Sequence, residues 1–463
     1  MQYVSTRGEA PTLSFSEATL AGLASDGGLY VPHTYPRFSV DELYDLRGAP
    51  YERVAHAVMT RFAAGNVADE DMADDINAAM ATFVHAARVP LIQIGPRDFL
   101  LELFHGPTLA FKDVAMQTLA RLMDRILKAR GRRATIITAT SGDTGAAAAD
   151  AFRGRDNIDL FILYPDGRVS DVQRRQMTTI ADDNVTALAV AGDFDDCQRI
   201  VKALFVDRAF NERVGMSGVN SINWARVAAQ VPYYFYAALA LGGPTRKVAF
   251  SVPTGNFGDV LAGYVAHRMG LCVDKLIVAT NHNDILDRAL KTGTYAPAGV
   301  APSTSPSMDI QVSSNFERLL FDLSDRDAAA IRARVPGGAF DISPREQRHM
   351  AGLFASGRAD DREVASTIGR VYRETGLIID PHTAVGAKVA FESDLDEDTA
   401  RVTLATAHPA KFPDAVEAAS GVRPTPPARL AHVLNAPERM VPVAAETAAV
   451  AAAVLDRSRA VTA

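Results

Sequence analysis

The sequence predicts an α/β protein with two doubly wound, mainly parallel sheets and an additional N-terminal helical domain. Two observations support this prediction. From about residue 90 onward, short β-branched runs alternate with segments of helical spacing, which is the order expected of βαβ units. The strand-like runs are also apolar almost throughout, as at 160–164, and parallel strands that are covered on both faces have this composition.

The elements follow in order along the chain. Helical spacing fills most of the first 90 residues, at 16–24, 40–46, 51–64 and 69–87. Strands are then predicted at 135–140, 160–164, 185–190, 247–252, 276–279 and 401–406. The helical segments include one long helix over 224–241, a mainly helical region over 328–373 and a closing alanine-rich helix over 444–455. Residues 295–308, rich in Ala, Pro and Ser, are predicted to form a long functional loop or a linker.

Length and composition exclude several classes of protein. A chain of 463 residues needs at least two hydrophobic cores. The net charge of −7 and the scattered basic residues argue against binding to nucleic acid or to an anionic membrane. The longest apolar stretch, 231–241, is too short to span a bilayer. Two cysteines and the absence of an apolar signal region at the N-terminus indicate buried free thiols and a cytoplasmic location. We expect a monomer, with a dimer as the alternative, and no metal site.

Lys112 is the first candidate for chemistry. It follows an apolar run and a His-Gly-Pro-Thr turn, and it lies at the start of a helical segment. A cation is disfavoured there because the helix dipole is positive at its N-terminus. Burial and a positive field both lower the pKa of an amine, as a Schiff-base lysine requires. The alternative for Lys112 taken alone is an ordinary surface lysine.

Two strand–glycine-turn–helix segments are candidate anion sites. The first is Ser141, Gly142, Asp143 and Thr144 with the glycine that follows, and the second is Gly255, Asn256, Phe257, Gly258 and Asp259. Free N–H groups at a helix N-terminus bind anions, and glycine permits a close approach. Neither segment has the spacing of a dinucleotide fingerprint or a P-loop. Two such sites at strand ends predict one crevice that binds a cofactor phosphate and a substrate carboxylate or phosphate.

A Schiff-base lysine combined with a phosphate cradle predicts pyridoxal 5'-phosphate as the cofactor. The pyridine nitrogen of this cofactor then needs a partner at a further strand end. Thr406, at the end of the strand 401–406, is a candidate for that role, and the alternative is an ordinary strand threonine.

Eight segments together resemble the threonine synthases, in the longer form found in fungi and many bacteria. They occur in the family's order and cover nearly the whole chain, at 25–32 (SDGGLYVP), 102–113 (ELFHGPTLAFKD), 140–145 (TSGDTG), 192–198 (GDFDDCQ), 220–226 (NSINWAR), 253–259 (PTGNFGD), 308–318 (MDIQVSSNFER) and 380–383 (DPHT). The short glycine motifs are individually common, but the complete set is highly specific. The segment after about residue 427 resembles the family least.

The resemblance implies a fold-type-II pyridoxal-phosphate enzyme that converts O-phospho-L-homoserine and water to L-threonine and phosphate. It implies that Lys112 binds the cofactor covalently, that residues 255–259 cradle the cofactor phosphate and that Thr406 faces the pyridine nitrogen. It further implies that 141–144 bind the substrate carboxylate. The candidates for the substrate phosphate are Asn223, Arg226, Ser313, Ser314 and Asn315. For Arg226 an ion pair with a surface carboxylate is an equal alternative.

We expect the chain to divide into three domains. These are an N-terminal helical domain over 1–90, a large cofactor-binding domain over 91–117 and 223–463, and a smaller mobile domain over 118–222. Two other functions stay open at this point. One is a different fold-type-II reaction, such as that of a serine or threonine dehydratase, and the other is a non-catalytic protein that only binds the cofactor.

Overall fold

The computed structural model describes residues 1–140 and 142–461 and confirms the predicted α/β fold with two mainly parallel sheets. The strands are β1 (Gln2–Ser5), β2 (Leu13–Ser14), β3 (Tyr30–Pro32), β4 (Leu91–Gln93), β5 (Asp98–Glu102), β6 (Ala134–Ala139), β7 (Ile158–Pro165), β8 (Val185–Ala191), β9 (Met216–Ser217), β10 (Val248–Pro253), β11 (Val273–Thr280), β12 (Thr294–Tyr295), β13 (Phe340–Asp341), β14 (Phe354–Arg358), β15 (Ala400–Ala405) and β16 (Val441–Ala444).

The helices of the first half are α1 (Phe15–Ala21), α2 (Val40–Asp45), α3 (Tyr51–Ala63), α4 (Asp69–Met80), α5 (Lys112–Ala129), α6 (Asp143–Phe152), α7 (Asp171–Thr178), α8 (Phe194–Val206), α9 (Arg208–Val214), α10 (Trp224–Ala228) and α11 (Val231–Ala240). Those of the second half are α12 (Gly258–Arg268), α13 (Ile285–Thr292), α14 (Phe316–Leu323), α15 (Ala328–Arg334), α16 (Pro344–Leu353), α17 (Asp361–Thr375), α18 (Pro381–Glu392), α19 (Pro413–Ser420), α20 (Ala428–Asn435) and α21 (Thr447–Arg457).

The larger sheet has the strand order β14-β11-β10-β15-β5-β4, and only β4 runs antiparallel to its neighbour. The smaller sheet has the order β16-β8-β7-β6-β9, and all of its strands are parallel. The central strands β10, β15 and β7 are buried along their whole length, which explains their continuous apolar sequence. Chain order and strand order differ in both sheets, so both contain crossovers.

The N-terminal region contains the four helices α1 to α4 together with a three-stranded antiparallel sheet of β1, β2 and β3. Ser14 begins α1 with a capping box in which Glu17 is the reciprocal partner. Trp224 of α10 packs against Tyr3 and Phe62 of this region, with ring centroids 6.1 Å and 5.6 Å apart. The N-terminal region therefore shares its core with the helices of the larger sheet.

The C-terminal segment differs from the expected domain division. Strand β16 pairs in parallel with β8 of the smaller sheet, and α21 buries Val450 and Val454 against Leu188 and Val190 of β8. The expected assignment of all residues from 223 to 463 to the large domain is therefore wrong at this end. The strand escaped prediction because its four residues, of which two are exposed, carry little periodic signal.

Three further expectations need correction. The helix predicted over 224–241 is two helices, α10 and α11, because Pro232 lies at the start of α11 and lacks the N–H that a continuous helix would use. The region 328–373 contains β14, an edge strand of the larger sheet, besides its helices. Cys272 is exposed, whereas Cys197 is buried as expected. Over residues 1–140 and 142–461, we find no helix with the length and apolar character needed to cross a membrane.

Candidate active site

Lys112 is the first residue of α5 and is held in place by the end of β15. Phe111 donates its backbone N–H to the Thr406 carbonyl at 2.8 Å, and His408 donates to the Leu109 carbonyl at 3.0 Å. These bonds tie the turn before α5 to the carboxyl end of β15, which is where a ligand crevice forms in an open α/β sheet. The Lys112 side chain is 13% exposed, so it faces a crevice rather than open solvent.

Burial and nearby charges shift the pKa of Lys112 below its ordinary value. Burial lowers the pKa of Lys112, and the positive charges of Lys411 and Arg226 act in the same direction, whereas Asp143 opposes them. The direction agrees with the sequence prediction for a lysine held for Schiff-base chemistry. A neutral amine is both a nucleophile and a base.

Asp143, the first residue of α6, connects the two halves of the site. Its Oδ2 lies 3.6 Å from Lys112 Nζ, and its Oδ1 lies 2.7 Å from the Nζ of Lys411, which is fully buried. Gln173 Nε2 and Ser307 Oγ also donate to this carboxylate, at 2.9 Å and 3.1 Å. Burial raises the pKa of Asp143, but the two ammonium groups outweigh burial and hold the pKa well below its usual range. Asp143 is therefore a charged carboxylate that positions two lysines.

The loop 255–258 forms a cradle at the N-terminus of α12. Within the described chain, the backbone N–H groups of Gly255, Asn256, Phe257 and Gly258 donate to no protein acceptor. Phe257 has a left-handed φ of 62°, which turns the chain into the helix. A Cβ on Gly255 would lie 2.9 Å from Ile310 Cδ1 and 3.2 Å from the Ser307 carbonyl oxygen, so a larger residue would require its neighbours to shift. Four free amides at a helix N-terminus make an anion site.

The Asp259 side chain does not belong to this cradle. Tyr233 and Tyr234 of α11 both donate their hydroxyls to Asp259 Oδ1, at 2.5 Å and 2.9 Å. Burial raises the pKa of Asp259 to about 6. The sequence prediction that Asp259 cradles an anion is therefore wrong for its side chain, which ties α12 to α11.

Ser313, Ser314 and Asn315 lie against the cradle and support it. Ser313 Oγ donates to the Gly255 carbonyl at 2.7 Å, and the Asn315 backbone N–H donates to the Asn256 carbonyl at 3.1 Å. The hydroxyl of Ser314 lies 3.5 Å from the Asn256 amide oxygen. The Asn315 side chain is fully buried, accepts from Arg318 and donates to the Ser221 carbonyl. One N–H of Asn315 Nδ2 has no acceptor among the described residues, so the predicted contact of Asn315 with the substrate phosphate stays a prediction.

Asn223 is a structural residue. Its Oδ1 accepts from the Ala225 N–H and caps α10, and its Nδ2 donates to the Thr19 and Gly218 carbonyls, each at 2.9 Å. With 0% exposure and both ends of the amide in use, Asn223 has no group left for a ligand. The prediction that it binds the substrate phosphate is wrong, because its amide caps α10 instead. Helix caps and ligand contacts use the same polar residue types.

Arg226 is the exceptional member of the predicted set. It is 2% exposed, its Nη1 donates to the Val219 carbonyl at 3.2 Å, and its Nε is buried without an acceptor. Within the described chain no carboxylate pairs with it, so the alternative of a surface ion pair is wrong. Burial lowers the pKa of Arg226 to about 10. A buried arginine whose charge acts on Lys112 is well suited to binding an anion in the same crevice.

The turn 142–145 retains part of its predicted capacity for anions. Thr140 Oγ1 accepts from the N–H groups of Gly142 and Gly145, at 2.9 Å each, which removes those two donors. The backbone N–H groups of Asp143 and Thr144 have no acceptor within the described chain. Ser141, the other predicted member, lies outside the described residues. These two backbone donors and the Thr144 hydroxyl remain for a substrate carboxylate, whereas the Asp143 side chain is itself negative.

Thr406 and His382 lie at the same edge of the larger sheet. The Thr406 backbone N–H lies 3.3 Å from Thr383 Oγ1, and its own side-chain hydroxyl is not used by any described neighbour. His382 Nδ1 lies 2.7 Å from Asp380 Oδ2, and its Nε2 accepts from the Ser307 N–H at 3.2 Å. Asp380 therefore fixes the tautomer of His382, which in turn positions Ser307 beside Asp143.

Three residues of the site were missed by sequence reasoning, namely Lys411, Gln173 and Ser307. Ser307 lies in the loop 295–308, which the sequence predicts to be a long functional loop or a linker without indicating Ser307 itself. Lys411 follows the His-Pro turn after β15, and a lysine immediately beyond a site strand was the available signal. Over the described residues, no group of three or more His, Cys, Asp or Glu is arranged to hold a metal ion.

Comparison with known proteins identifies the family. Three family models match in succession, the threonine synthase N terminus over residues 2–80, the pyridoxal-phosphate dependent enzyme family over 89–336 and the C-terminal region of threonine synthase over 383–454. Threonine synthase from Pseudomonas aeruginosa is 51% identical over 98% of this chain and 97% of its own length. Threonine synthase from Saccharomyces cerevisiae is 43% identical over 89% and 88%, respectively.

The solved structures lead to the same family. The crystal structure of pyridoxal-phosphate-bound threonine synthase from Brucella melitensis superimposes with a TM-score of 0.96 and 55% identity, covering 99% of this chain and all of that one. The matches extend over the N-terminal region, both sheets and the C-terminal segment. The chain therefore belongs to the threonine synthase family of pyridoxal-phosphate-dependent enzymes.

Proposed function

We propose that this chain catalyses the conversion of O-phospho-L-homoserine and water to L-threonine and phosphate. Membership of the threonine synthase family supports the reaction. The single observation that carries it is Arg226, a buried guanidinium without a carboxylate partner in the described chain, close enough to Lys112 to lower its pKa. An amino-acid substrate that carries a phosphate supplies the missing anion, whereas unphosphorylated serine or threonine does not.

The residues present fit pyridoxal 5'-phosphate. The cofactor needs an amine for covalent attachment and a site for its phosphate, and the structure offers Lys112 and the four free amides of 255–258. Thr406, with its unused hydroxyl at the end of β15, would face the pyridine nitrogen. When bound, the cofactor supplies the electron sink needed for removing a proton from an amino-acid carbon.

Lys112 would move protons during the reaction. With the substrate bound in the crevice, the Lys112 amine would lie beside the substrate carbons. Its lowered pKa increases the share of the neutral amine, which is the form that accepts a proton. Asp143, held by Lys411, limits the positions that the Lys112 amine can adopt. Positioning of this kind is a large part of catalytic efficiency.

Two anion sites would orient the substrate. Arg226 would hold its phosphate, and the backbone N–H groups of Asp143 and Thr144 would hold its carboxylate. The Lys112 amine lies 3.6 Å from the Asp143 carboxylate, and the charge of Arg226 lowers its pKa. A substrate bound by both anion sites would therefore have its reacting carbons near this amine. Phosphate leaves from Cγ and the hydroxyl of water is added at Cβ, so the substrate phosphate must be held until it is eliminated.

Water has to reach the site only at the addition step. Asp143 belongs to the half of the molecule that contains the smaller sheet, whereas Lys112 and Lys411 lie at the edge of the larger sheet. Movement of residues 118–222 toward the larger sheet would close the crevice through these ion pairs and exclude bulk water. The expectations of a monomer and of a cytoplasmic location belong to the same proposal.

The experiment is to incubate the cofactor-loaded enzyme with O-phospho-L-homoserine and to quantify L-threonine and phosphate. We expect equal amounts of both. Arg226→Gln should raise KM by about tenfold or more, because a charge-assisted contact to phosphate is lost. Lys112→Ala should lower kcat by about three orders of magnitude and abolish the visible absorbance of the bound cofactor.

Other outcomes would reject specific parts of the proposal. Release of phosphate with a keto acid would retain the elimination and reject the addition of water. Turnover of plain serine or threonine, unaffected by Arg226→Gln, would indicate a dehydratase. A cofactor-loaded protein that consumes none of these substrates would be a non-catalytic binder. An unchanged absorbance spectrum in Lys112→Ala would contradict the assignment of the cofactor lysine.

A further inference from the structure

A surface cavity of about 350 Å³ lies where the N-terminal region meets the C-terminal end of α12. Its lining consists of His33, Thr34, Tyr35, Arg37, His267, Arg268 and Arg326. The volume is within the range of cavities that hold small molecules, about 300–1,000 Å³. No residue of the lining has a role in the active site described above.

The charge of this cavity is strongly positive. The cavity contains three arginines, Arg37, Arg268 and Arg326. Among the described residues their one carboxylate partner is Asp322, which lies 2.8 Å from Arg326 and 3.5 Å from Arg268. Basic residues near the end of α12 are partly explained by the helix dipole. That explanation does not cover Arg37 and Arg326, which come from other segments and converge on the same cavity.

Some of the arginine N–H donors at this cavity are held in position, and others have no acceptor. The Arg268 and Arg326 guanidinium groups lie 5.1 Å and 5.2 Å from the centroid of the Tyr35 ring, so the ring holds both of them. Arg326 also donates to the Pro32 carbonyl at 2.8 Å, while its Nη2 is buried without an acceptor. The Arg37 side chain makes no hydrogen bond or ion pair within residues 1–140 and 142–461.

The cavity is separate from the active site. Helix α12 begins at the phosphate cradle with Gly258 and ends at the cavity with Arg268. Its eleven residues correspond to a rise of about 16 Å. Helix α14 likewise begins next to Ser313 and Asn315 and carries Asp322 near its other end. An anion bound at this cavity would therefore lie one helix length away from the cofactor phosphate.

We propose that this cavity is a second anion site, which binds a small metabolite carrying a phosphate or diphosphate group. Arginine forks match the geometry of phosphate oxygens, and the hydroxyl of Thr34 and the imidazoles of His33 and His267 add further polar contacts at the rim. A phosphate or diphosphate group would balance the charge that Asp322 leaves uncompensated.

The test uses isothermal titration calorimetry of the cofactor-loaded enzyme with inorganic pyrophosphate as the probe. Pyrophosphate can also enter the active site, so the titrations are made in an Arg226→Gln background as well as in the wild type. We expect a remaining site in the Arg226→Gln protein. Adding Arg37→Glu should weaken binding at that site by about tenfold or more, because an attractive charge becomes a repulsive one.

Arg53→Glu is the matched control, since Arg53 is an exposed arginine of the same N-terminal region on α3 and lies outside the cavity. It should leave pyrophosphate binding unchanged, and both charge reversals should leave turnover of O-phospho-L-homoserine unchanged without added pyrophosphate. Equal binding by the Arg37→Glu and Arg53→Glu proteins, or no remaining site in the Arg226→Gln protein, would overturn the proposal. Arg37→Glu and Arg53→Glu are also compared as single substitutions, without Arg226→Gln. This comparison tests the second anion site even if Arg226 does not bind substrate.

Discussion

At the scale of single residues, the charge of Lys411 adds to burial in lowering the pKa of Lys112. Asp143 lies nearer to Lys411 than to Lys112, at 2.7 Å against 3.6 Å. Lys411 thus takes the greater share of the carboxylate that bridges the two lysines, and its own charge lowers the pKa of Lys112. The second lysine keeps the first one reactive.

Replacing Lys411 should therefore make Lys112 more basic. In Lys411→Met the positive charge is removed and Asp143 is left to pair with Lys112 alone, and both changes raise the pKa of Lys112. We expect the rate at which apoenzyme binds added pyridoxal 5'-phosphate to reach its half-maximum at a higher pH than in the wild type, and to fall several-fold at pH 7. Stopped-flow absorbance across a pH series measures this rate.

Lys202→Met is the control, because Lys202 is an exposed lysine of α8. Its pH profile should coincide with that of the wild type. A Lys411→Met profile that is merely lower at every pH, with an unchanged midpoint, would point to a structural role for Lys411 and contradict an electrostatic one.

The residues of this site that have an unusual local context are predictable from the sequence, and the others are not. Lys112 at a helix start and glycine at Gly255 and Gly258 are local features, so pattern and geometry pointed to them. Asn223 is a candidate only through the family resemblance, and in the structure it is a helix cap. Lys411 was overlooked because it reaches Asp143 only through the packing of segments that are distant in sequence.

At the scale of elements, α12 carries the phosphate cradle at its N-terminus and is anchored by Asp259. This carboxyl group accepts from two tyrosine hydroxyls of α11 and lies in the first turn, where a negative charge suits the helix dipole. Burial nevertheless raises its pKa to about 6. The Asp259 carboxylate thus binds a proton more readily in the folded than in the unfolded protein.

This raised pKa predicts how Asp259→Asn changes the stability with pH. Between about pH 4 and pH 6 the folded state of the wild type binds more protons than the unfolded state, so its stability falls as the pH rises. The amide introduced by the substitution does not ionise, so the variant lacks this loss of stability. The free energy of unfolding of the variant relative to the wild type should therefore rise by up to about 3 kcal/mol between pH 4 and pH 7. Urea denaturation at several pH values measures it.

Asp195→Asn on α8 changes an exposed carboxylate and should leave the pH dependence as in the wild type. A difference between Asp259→Asn and the wild type that is constant with pH would show that Asp259 is ionised alike in both states. That result would contradict a raised pKa of Asp259 as the cause of the change in the free energy of unfolding.

Most of the elements could be predicted, because buried parallel strands and amphipathic helices have strong periodic patterns. The exceptions have physical causes. Pro232 interrupts a continuous apolar run and converts one predicted helix into α10 and α11. Strand β14 is an edge strand that contains Ser356 and Gly357, so its sequence lacks the apolar run of the central strands.

At the scale of the whole molecule, the chain crosses between the two sheets more than once. It enters the larger sheet with β4 and β5, forms the smaller sheet with β6 to β9, and returns to the larger sheet with β10. After β15 it passes back and adds β16 to the edge of the smaller sheet. The domain that contributes Asp143 is therefore completed by the last part of the chain, which the sequence alone did not predict.

The C-terminal helix should consequently control the stability of the smaller sheet and not that of the larger one. Val454 is fully buried in a cluster with Leu188 and Val190, and an aspartate at this position would place an unpaired charge in that cluster. We expect Val454→Asp to lower the local stability by about 2–4 kcal/mol. Hydrogen exchange should show faster exchange in β7 and β8, whereas β10 and β15 should keep the protection of the wild type. Ala452→Asp, on the exposed side of α21, is the control and should leave the protection of both sheets unchanged. An equal loss of protection in both sheets of the Val454→Asp protein would contradict a separate smaller domain.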